Sequence, residues 1–265
     1  MRVIEVDNVS VIPENSKHAV IRDVTFGVNS GEFLGIVGPS GCGKSTLLRI
    51  MAGVERPTYG EVLFNGQQFT EPQKEIAIVF QHSALLPWKT MLQNIELPLE
   101  ARGMDADTAR GIALKFVKKV GLVGYENSYP RETSEGIRHT TSLARALAVN
   151  PIVVLMDQPF SSLDAFSADR LRRLTLDIWK ASENKTSTFV LVTHSVEEAV
   201  SMCDRILVMS HMPGHILKEI KIDMTRPRED HMRDEKFFAY CDEIKEMMNP
   251  KFHLNPKNGH SPKNG

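Results

Sequence analysis

Nine consecutive residues, Gly38-Pro39-Ser40-Gly41-Cys42-Gly43-Lys44-Ser45-Thr46, have the types and spacing to hold a chain of phosphates. They fit G-x-x-x-x-G-K-[ST], the pattern of a phosphate-binding loop. Its glycines let the backbone turn tightly enough for successive N–H groups to point at phosphate oxygens. A helix starting directly behind them adds positive dipole at the same place. In such a loop Lys44 reaches the β- and γ-phosphates, and the Ser45 hydroxyl coordinates Mg²⁺. The plainer alternative is a glycine-rich turn between a strand and a helix. A second group bears on the same chemistry. The apolar run Val153-Val154-Leu155-Met156 ends in Asp157, and an acid at the C-terminal end of a buried strand is what a second Mg²⁺-holding element requires. Ligands collect at that edge of a parallel sheet, so Asp157 is expected close to the loop.

The elements that must position these residues follow from the hydrophobic pattern. Phe33-Leu34-Gly35-Ile36-Val37 reads as a buried strand and Leu47–Ala52 as a helix, the arrangement a phosphate loop needs. Val3–Val6 and Val20–Val28 alternate as strands, with a loop at Pro13–Lys17 between them. Pro57-Thr58-Tyr59-Gly60 reads as a turn, Glu61–Phe64 as a strand ending at the hairpin dipeptide Asn65-Gly66, and Ile76–Phe80 as a buried strand leading to Gln81. Helical periodicity takes over from about residue 84 to 150, as in Thr108–Val117, and strands return at Ile152–Met156, Phe189–Thr193 and Arg205–Met209.

This alternation predicts an α/β fold with an inserted α-helical subdomain. The core takes residues 1–83 and 151–226, and the helical insertion takes 84–150. Residues 227–250 read as a helical extension, with Phe237–Met247 amphipathic and its apolar side on the core or on a partner. Residues 251–265 are polar, hold Pro-Lys-Asn-Gly twice, and read as a disordered tail.

Bulk composition narrows the function classes. The 265 residues are 42% hydrophobic, enough for a real core, and the net charge of −1 provides no basic field for nucleic acid. Cys42, Cys203 and Cys241 form no metal or disulfide pattern, which suits a reducing compartment. The charged start Met1–Asp7 does not read as a signal peptide. No apolar run approaches the roughly 18–20 residues that cross a bilayer. The expectation is a cytosolic chain whose membrane role, if any, comes through a partner.

In order and spacing, residues 1–226 resemble the ATP-binding subunits of ABC transporters, whose core is a P-loop NTPase fold: a RecA-like mixed sheet with an N-terminal antiparallel β part. The matching pieces are Gly38–Thr46 (Walker A), Gln81 (Q-loop), Ser134-Glu135-Gly136 before Leu143–Leu147 (signature region), Val153–Asp157 (Walker B), Ser161–Asp164 (D-loop) and Val192-Thr193-His194 (H-loop). Within the family, Ser83–Trp88 and Pro213-Gly214-His215-Ile216 with Arg226-Pro227-Arg228 look like the nitrate, sulfonate and taurine type of importer.

The resemblance implies two such subunits, the same or an intact paralogue, stacked head to tail with ATP between one Walker A and the other signature. It also implies two transmembrane permease subunits and a solute-binding protein, at the cytoplasmic face of the cell membrane. In that frame Ser45, Gln81 and Asp157 hold Mg²⁺, and Ser134 and Gly136 meet the partner's ATP. His194 contacts the γ-phosphate, Asp164 couples the sites, and position 158 acts on water. Plainer readings stand beside these: His194 as a satisfied histidine at the core's edge, Asp164 as a helix cap, Gln81 as a polar strand end, Trp88 as a packing residue.

Three departures bear on turnover. Gln158 stands where the family usually has a glutamate acting as general base. An amide orients water but takes no proton, and losing a general base costs about 10²–10⁴-fold in rate. Thr133-Ser134-Glu135-Gly136-Ile137 replaces Leu-Ser-Gly-Gly-Gln, which brings Glu135 toward a polyanion. A like charge about 4 Å away costs on the order of 4 kcal/mol at an effective dielectric near 20, less if the side chain turns aside. Downstream, Arg138-His139-Thr140-Thr141 replaces a more basic, glutamine-containing run. Third, Ile12-Pro13 offers no aromatic for the adenine, where stacking is worth about 1–3 kcal/mol. Two origins fit Gln158: an engineered substitution, or a naturally degenerate subunit.

Overall fold

Strict alternation along four buried strands builds the centre of the molecule and divides it into two apolar layers. The structure, a computed structural model, describes residues 1–14, 16, 18–181 and 188–249. The chain begins with β1 (Arg2–Val11), β2 (Ile21–Asn29) and β3 (Phe33–Val37), which runs into α1 (Lys44–Met51). β4 (Tyr59–Phe64) turns into the short β5 (Gln67–Gln68), and β6 (Ile76–Val79) follows. Next come α2 (Met91–Ala101), α3 (Ala106–Val120) and α4 (Glu135–Ala148). β7 (Val153–Asp157), α5 (Ala165–Lys180), β8 (Thr188–Thr193) and α6 (Val196–Met202) return to α/β alternation. β9 (Arg205–Met209), β10 (Ile216–Lys221) and α7 (Glu235–Met248) complete the order.

Six strands form a mixed sheet in the order β10-β9-β3-β8-β7-β6. All neighbours are parallel except β10, which pairs antiparallel with β9. A second, antiparallel sheet has the order β2-β1-β4-β5. The expected α/β fold with a mixed sheet and an antiparallel part is what the chain adopts.

Strands buried on both faces read as continuous apolar runs, and β3, β7 and β8 are buried throughout. Phe33, Val154, Met156, Phe189 and Val208 point to one face and join α3, α4, α5 and α7 in one cluster. Leu34, Ile36, Leu155, Val190 and Leu207 point to the other and pack against α1 and the antiparallel sheet. Phe33 anchors the first layer, stacked on Phe189 at 5.4 Å and edge-on to Trp179 at 5.8 Å.

Helices α2, α3 and α4 pack on one another, and α4 also touches β6 and α5. Ala109, Ala113 and Val117 recur at four-residue spacing on the buried side of α3 and belong to the same cluster as the sheet face. Thr90 opens α2 with a reciprocal cap: its hydroxyl accepts the Gln93 N–H, and the Gln93 side chain accepts the Thr90 N–H. Thr90→Ala is therefore expected to lower stability by about 1 kcal/mol, read as a shift in the urea midpoint at unchanged slope.

Three elements differ from the pattern-based expectation. Tyr59 and Gly60, whose pattern reads as a turn, begin β4, because β1 extends far enough to pair Ser10 with Tyr59. Phe80 lies past the end of β6 and is 38% exposed. β10 has no counterpart in the hydrophobic pattern, since Ile216–Lys221 is too mixed to announce itself and is a strand through pairing with β9. The C-terminal helix lies where its periodicity puts it, with Phe237, Cys241 and Ile244 on the core. The expected tail, residues 251–265, lies outside the described residues.

Candidate functional site

β3 and α1 are joined by Gly38–Gly43, and the strand-then-helix geometry turns the N-terminus of α1 toward the C-terminal edge of the parallel sheet. Gly41 and Gly43 have φ of +78° and +97°, a backbone region that side chains other than glycine rarely enter. No side chain caps α1, which leaves its first N–H groups open to a ligand. Lys44 is buried, and its ammonium donates to the carbonyls of Gly38 and Pro39 at 2.8 and 2.7 Å, folding back over the loop.

A cavity of about 210 Å³ opens over this loop, lined by Ser40, Gly41, Gly43, Lys44, Ser45 and Thr46 on one side. Val20, Gln158 and His194 line the other. Cys42 is buried behind the loop, and Gly38 and Pro39 do not reach the cavity wall.

Asp157 ends β7 beside the loop, and the Ser45 hydroxyl donates to its Oδ1 at 2.9 Å. Burial raises the Asp157 carboxyl above the usual carboxylate range, opposed by the Ser45 hydrogen bond and by the charges of Arg49 and Lys44. A hydroxyl and a desolvated carboxylate at the mouth of a phosphate loop are the hard oxygen donors that Mg²⁺ takes together with phosphate and water. The donor set fits that ion.

Gln158 has φ +45°, left-handed for a residue with a side chain. The turn is held by its backbone. The N–H donates to Val192 at 2.8 Å, and the carbonyl accepts from the Ser161 N–H and hydroxyl at 3.3 and 3.0 Å. Its side-chain Oε1 lies 2.9 Å from Nδ1 of His194, which follows the end of β8. An amide oxygen only accepts, so Nδ1 carries the proton in this pair. What remains of the amide is an NH₂ group, a donor. Beside the phosphate loop stands a group able to orient a water and unable to take its proton.

The other predicted residues lie elsewhere. Gln81 follows β6 in a partly buried loop and does not line the cavity. That loop is fixed from α4: Arg145 donates to the carbonyls of Ala84 and Ser83 at 2.7 and 2.9 Å. Asp164 caps α5, accepting the Ser167 N–H at 3.0 Å, and the Ser167 hydrogen bonds hold its carboxyl below the usual range. Ser134 caps α4, accepting the Ile137 N–H at 3.4 Å. With Gly136 and Phe166 it lines a separate recess of about 70 Å³. Within one chain, then, Ser134 and Gly136 line a recess apart from the phosphate-loop cavity, and Asp164 caps the neighbouring α5.

Two residues near this recess escape the sequence pattern. His139 is 1% exposed, with Nε2 3.2 Å from the Ser162 hydroxyl and 3.8 Å from the Glu135 carboxylate. Burial holds its pKa below the usual histidine range. It ties α4 to the turn before Asp164; nothing in a run of polar residues signals that one of them is inside. Phe166, 80% exposed, is the large apolar residue of this face. At the cavity, the unforeseen residue is Val20. Ile12, where an adenine-stacking aromatic is expected, donates its N–H to the Thr58 hydroxyl, and among the described residues no Phe, Tyr or Trp lines the cavity.

The protein-family model described as ABC transporter matches residues 21–161, more than half the chain. An uncharacterised ABC transporter ATP-binding protein of Methanocaldococcus jannaschii is 43% identical, over 85% of this chain and 84% of its own. A nitrate import ATP-binding protein of Synechocystis is 37% identical, over 86% and 87%. An aliphatic sulfonates import ATP-binding protein of Bacillus anthracis is 39% identical, over 79% and 81%. Among solved structures, a dimeric post-hydrolysis state of an ATP-binding cassette bound to ADP and Pi is similar with a TM-score of 0.73 and 31% identity, covering 84% of this chain and all of that one. Among the described residues no helix is long and apolar enough to cross a membrane. With the phosphate loop, its paired Ser45 and Asp157, and these relatives together, the chain belongs to the ABC transporter family, as one of its ATP-binding subunits.

Proposed function

We propose that this chain powers or gates an importer for a small anion or organic solute, and that it binds ATP firmly but turns it over slowly. The observation that carries the slow turnover is the pair at the cavity wall, Gln158 Oε1 on His194 Nδ1 at 2.9 Å. Gly38–Thr46 cradle the phosphates, and Ser45 and Asp157, with Gln81 on closure, hold Mg²⁺. That ion neutralises phosphate charge when bound. Gln158 orients water, His194 contacts the γ-phosphate, and Ser134 and Gly136 serve the site of a second, head-to-tail subunit. Asp164, capping α5 beside their recess, links the two sites.

The choice of solute class rests on the names of the nitrate and sulfonate import relatives. The proposed assembly adds two transmembrane permease subunits and a solute-binding protein, with this chain peripheral at the cytoplasmic face of the cell membrane. Residues 1–83 with 151–226 act as the nucleotide lobe, 84–150 as the lobe facing the permeases, and 227–250 as an extension bracing the core. Paired with an intact paralogue, the chain lends Gln158 to one site and its altered signature to the other, so each carries one defect. As a homodimer both sites carry both. The expected result of affinity purification from detergent-solubilised membranes is recovery with two multispanning proteins. A chain recovered alone in every detergent tried would sink the importer reading.

A second reading is favoured by the same Gln158, together with Glu135 in the signature. In it the chain is a regulatory or scaffold subunit that uses bound ATP to lock a membrane complex and does not turn it over.

A further inference from the structure

Behind the phosphate loop lies a turn to which the nucleotide reading assigns no role. Ser210–His215 joins β9 to β10, and we propose that through Gly214 it buttresses the loop, making Gly214 a positioning residue for nucleotide affinity. The proposal deepens the nucleotide reading and rests on it.

The first observation is a distance. A Cβ added to Gly214 would lie 2.0 Å from the carbonyl oxygen of Cys42 and 2.9 Å from Cε of Met209. The Met209 methyl can swing away. The Cys42 oxygen is main chain, between Gly41 and Gly43, and moves only if the phosphate loop moves. The second observation is on the opposite side of the same residue. The Gly214 N–H donates to the Val20 carbonyl at 2.8 Å, and its own carbonyl accepts the Arg22 N–H at 2.9 Å. Val20 is part of the cavity wall. One residue's backbone thus touches both the loop that forms the cavity floor and the segment that forms its apolar wall.

The loop is hemmed at two further points. A Cβ on Gly43 would lie 2.7 Å from Cγ1 of Ile21, and one on Gly38 would lie 3.1 Å from the Met209 carbonyl. The turn in its place is pinned by the buried Ser210, whose hydroxyl accepts the His215 N–H at 3.0 Å and lies 3.1 Å from the Pro213 carbonyl. Several loop N–H groups must meet phosphate oxygens at once, and hydrogen bonds weaken steeply off-angle. Misplacing a site by about 1 Å can cost about 10²-fold, so a small displacement here is felt by every phosphate contact together.

The test uses the full chain and a fluorescent ATP analogue with Mg²⁺. Gly214→Ala is expected to weaken analogue binding by about tenfold or more, while the ligand-free thermal midpoint falls by only a few degrees. Gly66→Ala is the control. It sits at φ +78° with open space around it, so it should lose stability and keep affinity. Ser210→Ala unpins the turn without entering the loop and should weaken binding about threefold; it decides the matter if Gly214→Ala does not fold. Wild-type affinity in the folded variants overturns the buttress. No binding by the unaltered chain overturns the nucleotide reading along with it.

Discussion

Replacing Gln158 by glutamate is expected to raise ATP turnover of the assembled complex by about 10²–10⁴-fold, the range that a general base contributes. The residue's surroundings argue for the effect as much as its chemistry does. Gln158 is held by three backbone hydrogen bonds in a left-handed turn, so a substituted side chain starts from the same Cα position. Its Oε1 is engaged by His194 Nδ1. A carboxylate keeps that bond with one oxygen and has the other free to accept a proton from water, whereas the amide offers a donor there. Steady-state phosphate release by the purified complex, wild type against Gln158→Glu, is the measurement. A gain below about threefold would favour the regulatory reading, with Glu135 and the signature region as the next positions to examine.

The second large effect is expected at Asp157, and it has opposite signs for stability and for function. Burial raises the folded-state pKa of this carboxyl. Between the unfolded and folded pKa values the native chain holds a proton that the unfolded chain has released, so stability falls as pH rises through that window. Above the folded pKa the whole penalty of a desolvated carboxylate is present. Asp157→Asn removes it and still accepts the Ser45 hydroxyl.

The ligand-free midpoint at neutral pH should therefore rise by a few degrees; for a chain of this size each 1 kcal/mol moves it by about 2–4 °C. The gain should shrink on acidification toward the unfolded pKa. Over the same substitution the Mg²⁺-dependent part of nucleotide affinity should fall by about 10–100-fold or more, the range lost when a metal site's supporting partner is removed. Scanning calorimetry from pH 4 to 8, paired with nucleotide titrations with and without Mg²⁺, tests both halves. A midpoint that drops at neutral pH would show that the carboxylate stabilises the empty chain, the reverse of what its raised pKa requires.

Much of the fold is legible in the sequence because its signals are local. The runs at 33–37, 152–156 and 189–193 are apolar at nearly every position, as strands buried on both faces require, and strands form there at Phe33–Val37, Val153–Asp157 and Thr188–Thr193. Asn65-Gly66 sits at φ +50° and +78°, the conformation a two-residue hairpin needs. What escapes the pattern is set by neighbours. β10 exists because β9 offers it an edge, and Tyr59-Gly60 are strand because β1 reaches past them. His139 reads as one polar residue among several and is buried because the turn at Ser162 closes over it.

The candidate site divides along the same line. Sequence alone specifies the phosphate loop, because glycine positions, lysine and hydroxyl act through main-chain geometry that neighbouring residues dictate. It also determined that position 158 holds an amide, which is covalent chemistry and independent of fold. Which groups meet is set by packing: Ser45 with Asp157, Gln158 with His194, Gly214 with the back of the loop at Cys42. Each of these contacts joins residues from 36 to 172 positions apart. Separations of that length are closed by packing two apolar layers onto one twisted sheet, and no local pattern records which strand ends that packing brings side by side.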